Sequence, residues 1–260
     1  MELTDRVVVV TGGARGIGAA LVKRFAQERP EALVVVDIDA DGSARVARDV
    51  KGDAIRCDLS DEAQVASMVA EVERKFGRID VFCSNAGIAV AGGPEADNGE
   101  WQRIWDVNVM AHVYVTRHVL PAMVARKDGY LVGTISAAGL LNHVFAAPYA
   151  VTKAAALSLF EWISIAHGDD GIRVSCLCPQ GVKTDMLAAE RERLRTNFLT
   201  AGALEPEVVA EAVVEGIAAE RFLILPHPEV ADYFQRKAMD YDRWLRGMRR
   251  LRANLLASAR

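Results

Sequence analysis

The fold is decided by the stretch Arg6-Val-Val-Val-Val-Thr-Gly-Gly-Ala-Arg-Gly-Ile-Gly18, which joins an apolar run to a glycine-rich turn. A short run of β-branched residues without polar interruption is typical of a strand that is covered on both faces. A helical pattern begins directly after Gly18. We therefore predict a buried strand, a tight turn and a helix, which together open a βαβ unit.

The rest of the chain repeats this alternation of apolar runs and helical patterns. Further strands are predicted at residues 32–37, 54–57, 79–83, 129–135, 172–178 and 222–225. Helices are predicted between them, including a long one over residues 100–126 that Pro121 should kink or interrupt. No linker or internal repeat divides the chain. The pattern predicts an α/β fold: a single Rossmann-type doubly wound domain over residues 1–260, with about seven parallel strands and helices on both faces.

Composition and charge exclude several classes of protein. The 260 residues are 51% hydrophobic and 25% charged, and the net charge of −4 does not indicate a nucleic-acid partner. No run reaches the ~20 uncharged apolar residues that a membrane span needs, and the N-terminus lacks a signal-peptide pattern. The four cysteines lie in or beside apolar runs, and the histidines lack metal-ligand spacing. We expect reduced buried thiols, a cytoplasmic location and no metal site.

The glycine-rich turn and an acidic residue after the second strand indicate a dinucleotide site. Gly12, Gly16 and Gly18 would let the backbone approach a pyrophosphate at the N-terminus of a helix. Asp37 ends the second strand, where a carboxylate can accept hydrogen bonds from an adenosine ribose. That carboxylate would repel a 2′-phosphate, so NAD is favoured over NADP. Arg15 leaves NADP open, because it could pair with the same phosphate.

A second candidate site lies between Ser136 and Lys153. The helix after Ser136 carries Tyr149 and Lys153 four positions apart, so both side chains lie on one helix face. A lysine ammonium near a phenol should lower the tyrosine pKa from its ordinary value near ~10. We predict that Tyr149 moves a proton to or from a substrate oxygen, and that the Ser136 hydroxyl hydrogen-bonds the same oxygen.

These motifs together resemble the short-chain dehydrogenase/reductase family, in its branch of roughly 250 residues. Residues 11–18 are similar to the TGxxxGIG loop, and Asp58-Leu59 matches the acid placed near the adenine. Ser84-Asn-Ala-Gly87 is similar to NNAG, with Ser84 in place of the first asparagine. Tyr149-Ala-Val-Thr-Lys153 matches YxxxK. Pro179-Gln-Gly-Val-Lys-Thr184 is similar to PG-x-V-x-T, with Gln180 in place of the glycine.

The resemblance implies a catalytic set of Asn108, Ser136, Tyr149 and Lys153. Tyr149 would be the general acid or base, and Lys153 would lower its pKa and hold the nicotinamide ribose. Ser136 would position the substrate oxygen, and Asn108 would hold a water that links Lys153 to solvent. Together with the glycine-loop argument, cofactor binding is assigned to Gly12, Arg15, Gly16, Ile17, Gly18, Asp37, Asp58, Leu59, Asn85, Ala86, Gly87, Tyr149, Lys153, Pro179, Gly181, Val182 and Thr184.

The implied activity is hydride transfer between NAD(H) and a secondary alcohol or ketone by an oxidoreductase that forms homodimers or homotetramers. Two alternatives are an NADPH-dependent 3-oxoacyl-thioester reductase and a nucleotide-sensing regulator without turnover. Asp37 argues against the first, and the intact catalytic set argues against the second.

Specificity is expected in two variable segments, residues 137–147 and a substrate loop over residues 180–205. Their apolar residues predict a hydrophobic substrate. The predicted substrate contacts are Ser136, Leu140, His143, Val144, Tyr149, Gln180, Met186 and Leu187. Residues 229–260 form a basic amphipathic tail, in which an apolar stripe recurs at helical spacing. Such a stripe should pack against its own domain or a neighbouring subunit.

Overall fold

A computed structural model describes residues 1–194 and 198–258, and shows one sheet of seven strands that all run parallel. The strands are β1 (Val7–Thr11), β2 (Ala32–Asp37), β3 (Asp53–Arg56), β4 (Val81–Ser84), β5 (Gly129–Thr134), β6 (Ile172–Leu177) and β7 (Leu223–Ile224). Their order across the sheet is β3-β2-β1-β4-β5-β6-β7. The predicted α/β fold with about seven parallel strands is confirmed.

Helices connect the strands, as parallel pairing requires. They are α1 (Gly16–Ala26), α2 (Ala40–Val50), α3 (Glu62–Phe76), α4 (Asn98–Trp105), α5 (Ala111–Arg126), α6 (Ala137–Leu141), α7 (Ala147–His167), α8 (Asp185–Leu194), α9 (Pro206–Ala218), α10 (Glu229–Met239) and α11 (Tyr241–Ser258). No helix in the described ranges combines the length and the apolar character needed to cross a membrane.

Two apolar clusters form the core, one on each face of the sheet. Successive strand residues point to opposite faces, so Val7 and Val9 join one cluster while Val8 and Val10 join the other. Helices α3, α5 and α7 cover the first face, and α1, α2 and α9 cover the second. This double coverage explains why the strands read as nearly uninterrupted apolar runs.

The strand order places a crevice at the carboxyl ends of the strands. From β1 the chain proceeds outward through β2 to β3, and it then returns to place β4 on the other side of β1. At such a reversal the loops after the neighbouring strands diverge, and the space outside their carboxyl ends is open to a ligand. The glycine-rich turn follows β1 and therefore lies at this crevice.

The long helix predicted over residues 100–126 is interrupted, but not at Pro121. A π-helical segment, Asp106–Met110, separates α4 from α5. Pro121 lies inside α5 and is exposed. Proline has no backbone N–H, so the carbonyl four residues earlier lacks its usual helical partner and can bond to water instead. The interruption instead falls at Asn108, in the middle of the π-helical segment. Segments of this kind are frequent at functional sites.

The basic tail forms two helices, α10 and α11. Asp240 separates them in an extended conformation. The predicted stripe on α11, formed by Trp244, Met248, Leu251 and Leu255, is half-buried, whereas the residues between its members are mostly exposed. The last two residues of the predicted tail, 259 and 260, lie outside the described ranges, as do residues 195–197 of the predicted substrate loop.

The packing of β5 against α7 gives a test of this core. A Cβ atom at Gly133 would lie 2.6 Å from the ring of Phe160, which is itself buried. We expect Gly133→Ala to lower the free energy of unfolding by about 1–3 kcal/mol, because a filled core has no room for the added methyl group. Urea denaturation measures the change.

Gly168→Ala is the matched control, because no atom lies within 4 Å of its Cβ position and its φ of −58° suits any residue. Equal stability of the two variants would contradict the packing described for β5 and α7.

Candidate active site

One cavity of about 1840 Å³ extends from the glycine-rich turn to helix α11. Ligand pockets for small molecules are usually ~300–1,000 Å³, so this cavity has room for a dinucleotide and a second molecule. All seventeen residues predicted to bind the cofactor line it. Ser136, His143, Gln180, Met186 and Leu187 line the same cavity, so the two sites proposed from the sequence are parts of one site.

The glycine-rich turn is a tight cradle. Gly12 has a φ of 64°, which side-chain-bearing residues rarely adopt, and a Cβ there would lie 2.9 Å from the Cα of Ala86. A Cβ at Gly18 would lie 2.0 Å from the carbonyl oxygen of Gly12. Only glycine fits these positions, and its absence of side chain lets a phosphate approach the backbone at the start of α1. The turn therefore fits the pyrophosphate of a dinucleotide.

Asp37 has a structural role as well as a position in the cavity. Its carboxylate accepts hydrogen bonds from the backbone N–H of Ala14 and of Asp39, both at 3.0 Å. The side chain thereby ties the glycine-rich turn to the end of β2. Because a carboxylate has about four acceptor positions, capacity remains for ribose hydroxyls.

Asn85 fastens three strand ends to one another beneath the cavity. Its side-chain N–H donates to the carbonyl oxygen of Thr11 at 3.0 Å, and its side-chain oxygen accepts from the Thr134 hydroxyl at 3.0 Å. These bonds join the ends of β1 and β5 across β4. The cavity floor is therefore rigidly held.

Asn108 differs from the other predicted catalytic residues because it does not line the cavity and is fully buried. Its side-chain oxygen accepts from the backbone N–H of Ile88, and its side-chain N–H donates to the Ile88 carbonyl, both at 2.9 Å. A Cβ placed at Gly87 would lie 3.3 Å from both Asn108 Oδ1 and Lys153 Nζ. Asn108 thus lies close to the lysine while it holds the backbone after β4.

Tyr149 and Lys153 share a helix face as predicted, with Nζ of the lysine 5.8 Å from the centre of the phenol ring. The ammonium is buried and donates to the carbonyl oxygen of Thr134 at 2.8 Å. Burial lowers the pKa of Lys153 to about 8, while the nearby Cys178 thiol opposes this shift. A buried cation is costly, and this shift expresses that cost.

The expected lowering of the Tyr149 pKa is not found. Burial raises the pKa of Tyr149 to about 12; the Ser136 hydroxyl lowers it, and the charge of Glu190 raises it. Loss of hydration is the largest cause of this shift, and the Lys153 Nζ lies over the ring rather than beside the hydroxyl. The phenol is therefore protonated at neutral pH and is suited to donate a proton.

Two of the predicted substrate contacts do not line the substrate end of the cavity. Leu140 is 3% exposed and belongs to the core cluster beneath the site. The carbonyl oxygen of Val144 accepts a hydrogen bond from Arg252 of α11. Neither residue lines the cavity in the described part of the chain. Gln180 does line it, and its amide donates to Glu229 at 2.7 Å, so the side chain is held towards α10.

His143 and Glu190 meet beside Tyr149. His143 Nε2 lies 3.1 Å from Glu190 Oε1, and the two side chains are 6% and 21% exposed. The imidazole is edge-on to the phenol of Tyr149, with ring centres 6.5 Å apart. Glu190 was missed by sequence reasoning because it lies in an alternating acidic and basic run, which is typical of a solvated helix face.

Sequence reasoning also did not predict the wall of the cavity that lies farthest from the glycine-rich turn. It is formed by half-buried or exposed side chains of the last two helices, α10 and α11, including Tyr233, Arg236, Arg243, Trp244, Met248 and Leu251. The helical spacing of the apolar members was visible in the sequence. Nothing local showed that this face would cover the candidate site rather than another surface.

Comparison with known proteins gives a consistent result. A family model described as short chain dehydrogenase matches residues 6–195. The meso-2,3-butanediol dehydrogenase of Serratia marcescens is 35% identical over 228 residues, which are 85% of this chain and 90% of that relative. The cis-4-hydroxycyclohexanecarboxylate dehydrogenase of Sinomonas cyclohexanicum is 32% identical over 219 residues, which are 80% and 88% of the two chains.

A solved structure is also similar. It is a short chain dehydrogenase/reductase from Burkholderia phymatum in complex with NAD, with a TM-score of 0.85 and 28% identity. The match covers 93% of this chain and 96% of that chain.

The buried ammonium gives a test of the site's electrostatics. The pKa of Lys153 falls from 10.5 to about 8 on folding, so below pH 8 the charged form costs the folded state about 3 kcal/mol. The Lys153→Met variant removes this cost but leaves the Thr134 carbonyl without its donor, which offsets part of the gain. We therefore expect the free energy of unfolding to rise by about 1–3 kcal/mol at pH 7. The gain should shrink between pH 8 and pH 10.5, because the unfolded state binds more protons there and wild-type stability rises.

Denaturant titrations of both proteins at pH 7 and near pH 10 measure this difference. Lys23→Met, at an exposed position of α1, is the control and should change stability little at either pH. A Lys153→Met variant that is less stable than wild type at pH 7 would show that the ammonium stabilises the fold.

Proposed function

Because this chain belongs to the short-chain dehydrogenase family, which makes it an oxidoreductase, we propose that it transfers a hydride between NAD(H) and a secondary alcohol or ketone. The observation that carries the proposal is the position of Tyr149, Ser136 and Lys153 in the same cavity as the glycine cradle. A proton-transfer group and a dinucleotide site that share one cavity can together perform hydride transfer at a carbon that bears oxygen.

In this proposal Tyr149 is the general acid and base. Bound NAD(H) supplies or accepts the hydride through its nicotinamide ring. During ketone reduction the Tyr149 hydroxyl donates its proton to the carbonyl oxygen, and a pKa of about 12 keeps that proton available. During alcohol oxidation the Tyr149 phenolate would accept the proton of the alcohol.

Ser136 and Lys153 support the proton transfer. The Ser136 hydroxyl interacts with Tyr149, so both can hydrogen-bond one substrate oxygen. Ser136 has a φ of 154° and a ψ of 157°, a backbone conformation that is uncommon outside glycine. Such strain is retained where the surrounding structure demands a particular side-chain position. Lys153 would hold the nicotinamide ribose from its anchored position at Thr134.

Asn108 acts in this proposal through the backbone. By binding both polar groups of Ile88, it fixes the segment after β4 that lines the cavity. Its side-chain oxygen retains a second acceptor position, which could bind the water that links Lys153 to solvent.

Asp37 supports NAD as the cofactor. Its carboxylate lies in the cavity at the end of β2, where it would repel a 2′-phosphate. Arg15 also lines the cavity, but it is exposed, so solvent screens its charge more strongly. The similar structure from Burkholderia phymatum holds NAD. The Asp37 carboxylate and the NAD-bound similar structure both argue against an NADPH-dependent thioester reductase.

The substrate end favours a largely hydrophobic alcohol or ketone. Leu141, Met186, Leu187, Phe198 and Trp244 line this part of the cavity. The two dehydrogenase relatives are named for a butanediol and for a hydroxycyclohexanecarboxylate, both of which are secondary alcohols. The predicted reaction type agrees with these names.

We also propose that the protein forms a homodimer or homotetramer in the cytoplasm. Val151, Trp162 and Ile165 lie on one face of α7 and are 47%, 59% and 84% exposed. A second copy of the chain would cover this apolar face. The four cysteines are all buried and unpaired, as expected in a reducing compartment.

The role of Tyr149 is tested by Tyr149→Phe, which removes the transferable proton and keeps the ring. We expect kcat for oxidation of a secondary alcohol with NAD to fall by about 10²–10⁴-fold, the usual contribution of a general acid or base. NADH formation followed by absorbance measures the rate, and NADH fluorescence checks that cofactor binding is retained.

Tyr130→Phe is the matched control, because Tyr130 is buried in β5 and its hydroxyl bonds to Ser175 away from the cavity. It should retain activity within about twofold. Comparable turnover by the Tyr149→Phe variant and the wild type would sink the proposed mechanism.

The role of Asp37 is tested by Asp37→Asn, which removes the charge while the amide oxygen can still accept a backbone hydrogen bond. We expect the ratio of kcat/KM with NAD to kcat/KM with NADP to fall at least about tenfold, or about 1.4 kcal/mol. Asp39→Asn is the control, because Asp39 caps α2 and does not line the cavity. A wild-type preference for NADP, or an unchanged ratio in Asp37→Asn, would contradict the assignment.

A further inference from the structure

The imidazole of His143 is held in one orientation beside the candidate catalytic tyrosine. Its Nδ1 accepts a hydrogen bond from the backbone N–H of Phe145 at 3.2 Å. The neutral ring therefore carries its proton on Nε2, the atom that lies 3.1 Å from Glu190 Oε1. The ring of Phe198 packs edge-on against the imidazole, with ring centres 6.1 Å apart. His143 thus has no freedom to turn away from Glu190.

The backbone conformation of Asn142 also helps to hold the His143 side chain in the cavity. Asn142 has a φ of 75° and a ψ of 174°, a conformation that is almost confined to glycine. Its side-chain oxygen accepts a hydrogen bond from the His143 N–H at 2.7 Å. The loop after α6 therefore stores strain where it delivers the imidazole to the cavity.

The contact with His143 also fixes the position of the Glu190 side chain, which extends from α8. Its carboxylate lines the cavity together with Tyr149 and Ser136, and its negative charge acts on the phenol, whose pKa it raises. One of its acceptor positions faces His143. A carboxylate offers about four such positions, so Glu190 can accept further hydrogen bonds from a molecule in the cavity.

Around this carboxylate the substrate end is mainly apolar, with Met186, Leu187 and Phe198 on the same side. Ser136 and Tyr149 are committed to the reacting oxygen. A second polar group of the substrate would therefore meet Glu190. Tyr149 and Glu190 both flank the His143 imidazole, so a substrate oxygen at the Tyr149 hydroxyl has the carboxylate nearby.

We propose that Glu190, oriented by His143, recognises a hydrogen-bond donor on the carbon next to the reacting carbinol and rejects a carboxylate at that place. The donor is a hydroxyl or an ammonium group, so the substrates are vicinal diols or amino alcohols with an apolar tail. This inference rests on the proposed dehydrogenase activity and specifies its substrate class.

A matched series of six-carbon alcohols tests the inference with the wild-type enzyme and NAD. The reacting carbon is the same in hexane-1,2-diol, 1-aminohexan-2-ol, hexan-2-ol and 2-hydroxyhexanoate, and only its neighbour differs. We expect kcat/KM for the diol or the amino alcohol to exceed that for hexan-2-ol at least tenfold, with 2-hydroxyhexanoate the poorest substrate. A site built to bind a polar group loses most of its efficiency with an analogue that lacks it.

Glu190→Gln then assigns the discrimination to this residue. Removal of the charge should reduce the preference for the diol or amino alcohol over hexan-2-ol at least fivefold, and raise kcat/KM for 2-hydroxyhexanoate relative to hexan-2-ol. Glu192→Gln is the matched control, because Glu192 is exposed on α8 and does not line the cavity. A purely structural contact between Glu190 and His143 would instead change all four substrates by the same factor.

The outcomes separate this inference from the proposed function. Turnover of hexan-2-ol without preference for the diol or the amino alcohol overturns the inference and leaves the dehydrogenase activity standing. Equal effects of Glu190→Gln on all four substrates also overturn it. If none of the four alcohols is oxidised with NAD or NADP, the proposed function falls and the inference falls with it. The wild-type ranking is decisive even where the variant folds poorly.

Discussion

All seven strands run parallel, and the position of every candidate functional group depends on this constraint. Parallel strands end at the same edge of the sheet, so the segments after β1, β4, β5 and β6 meet there although they are far apart in the chain. The hydrogen bonds of Asn85 to Thr11 and Thr134 hold three of these ends together. The glycine cradle, Ser136 and the Pro179–Thr184 segment each follow one of the strands and therefore border one cavity.

Within that cavity, loss of hydration decides the protonation states. Burial raises the pKa of Tyr149 to about 12 and lowers the pKa of Lys153 to about 8, so each group is driven towards its neutral form. The Lys153 ammonium is anchored on the Thr134 carbonyl, from where we propose that it holds the nicotinamide ribose. A site arranged in this way gives up stability in order to place a proton donor and a cation side by side.

Much of the fold, and the residues that line the glycine-turn half of the cavity, could be predicted from the sequence. Strands such as Val7–Thr11 appeared as apolar runs because both faces of the sheet are covered, and the glycine positions follow from contacts that exclude a Cβ. The substrate half could not be predicted to the same depth. Leu140 and Val144 lie in a loop-rich segment where no periodicity indicates which side chain faces inward. Glu190 had no local feature that distinguished it from its charged neighbours.

The sequence by itself determined the order of strands and helices, the backbone freedom of the glycine-rich turn and the four-residue spacing of Tyr149 and Lys153. These features depend on residues close together in the chain, whose geometry a strand or helix sets locally. Only the tertiary structure decided that desolvation dominates the Tyr149 pKa, that a π-helical segment rather than Pro121 interrupts the long helix, and that Glu190 meets His143. Each of these depends on how distant segments exclude water and fill space around one another, and that information is carried by no single stretch of the chain.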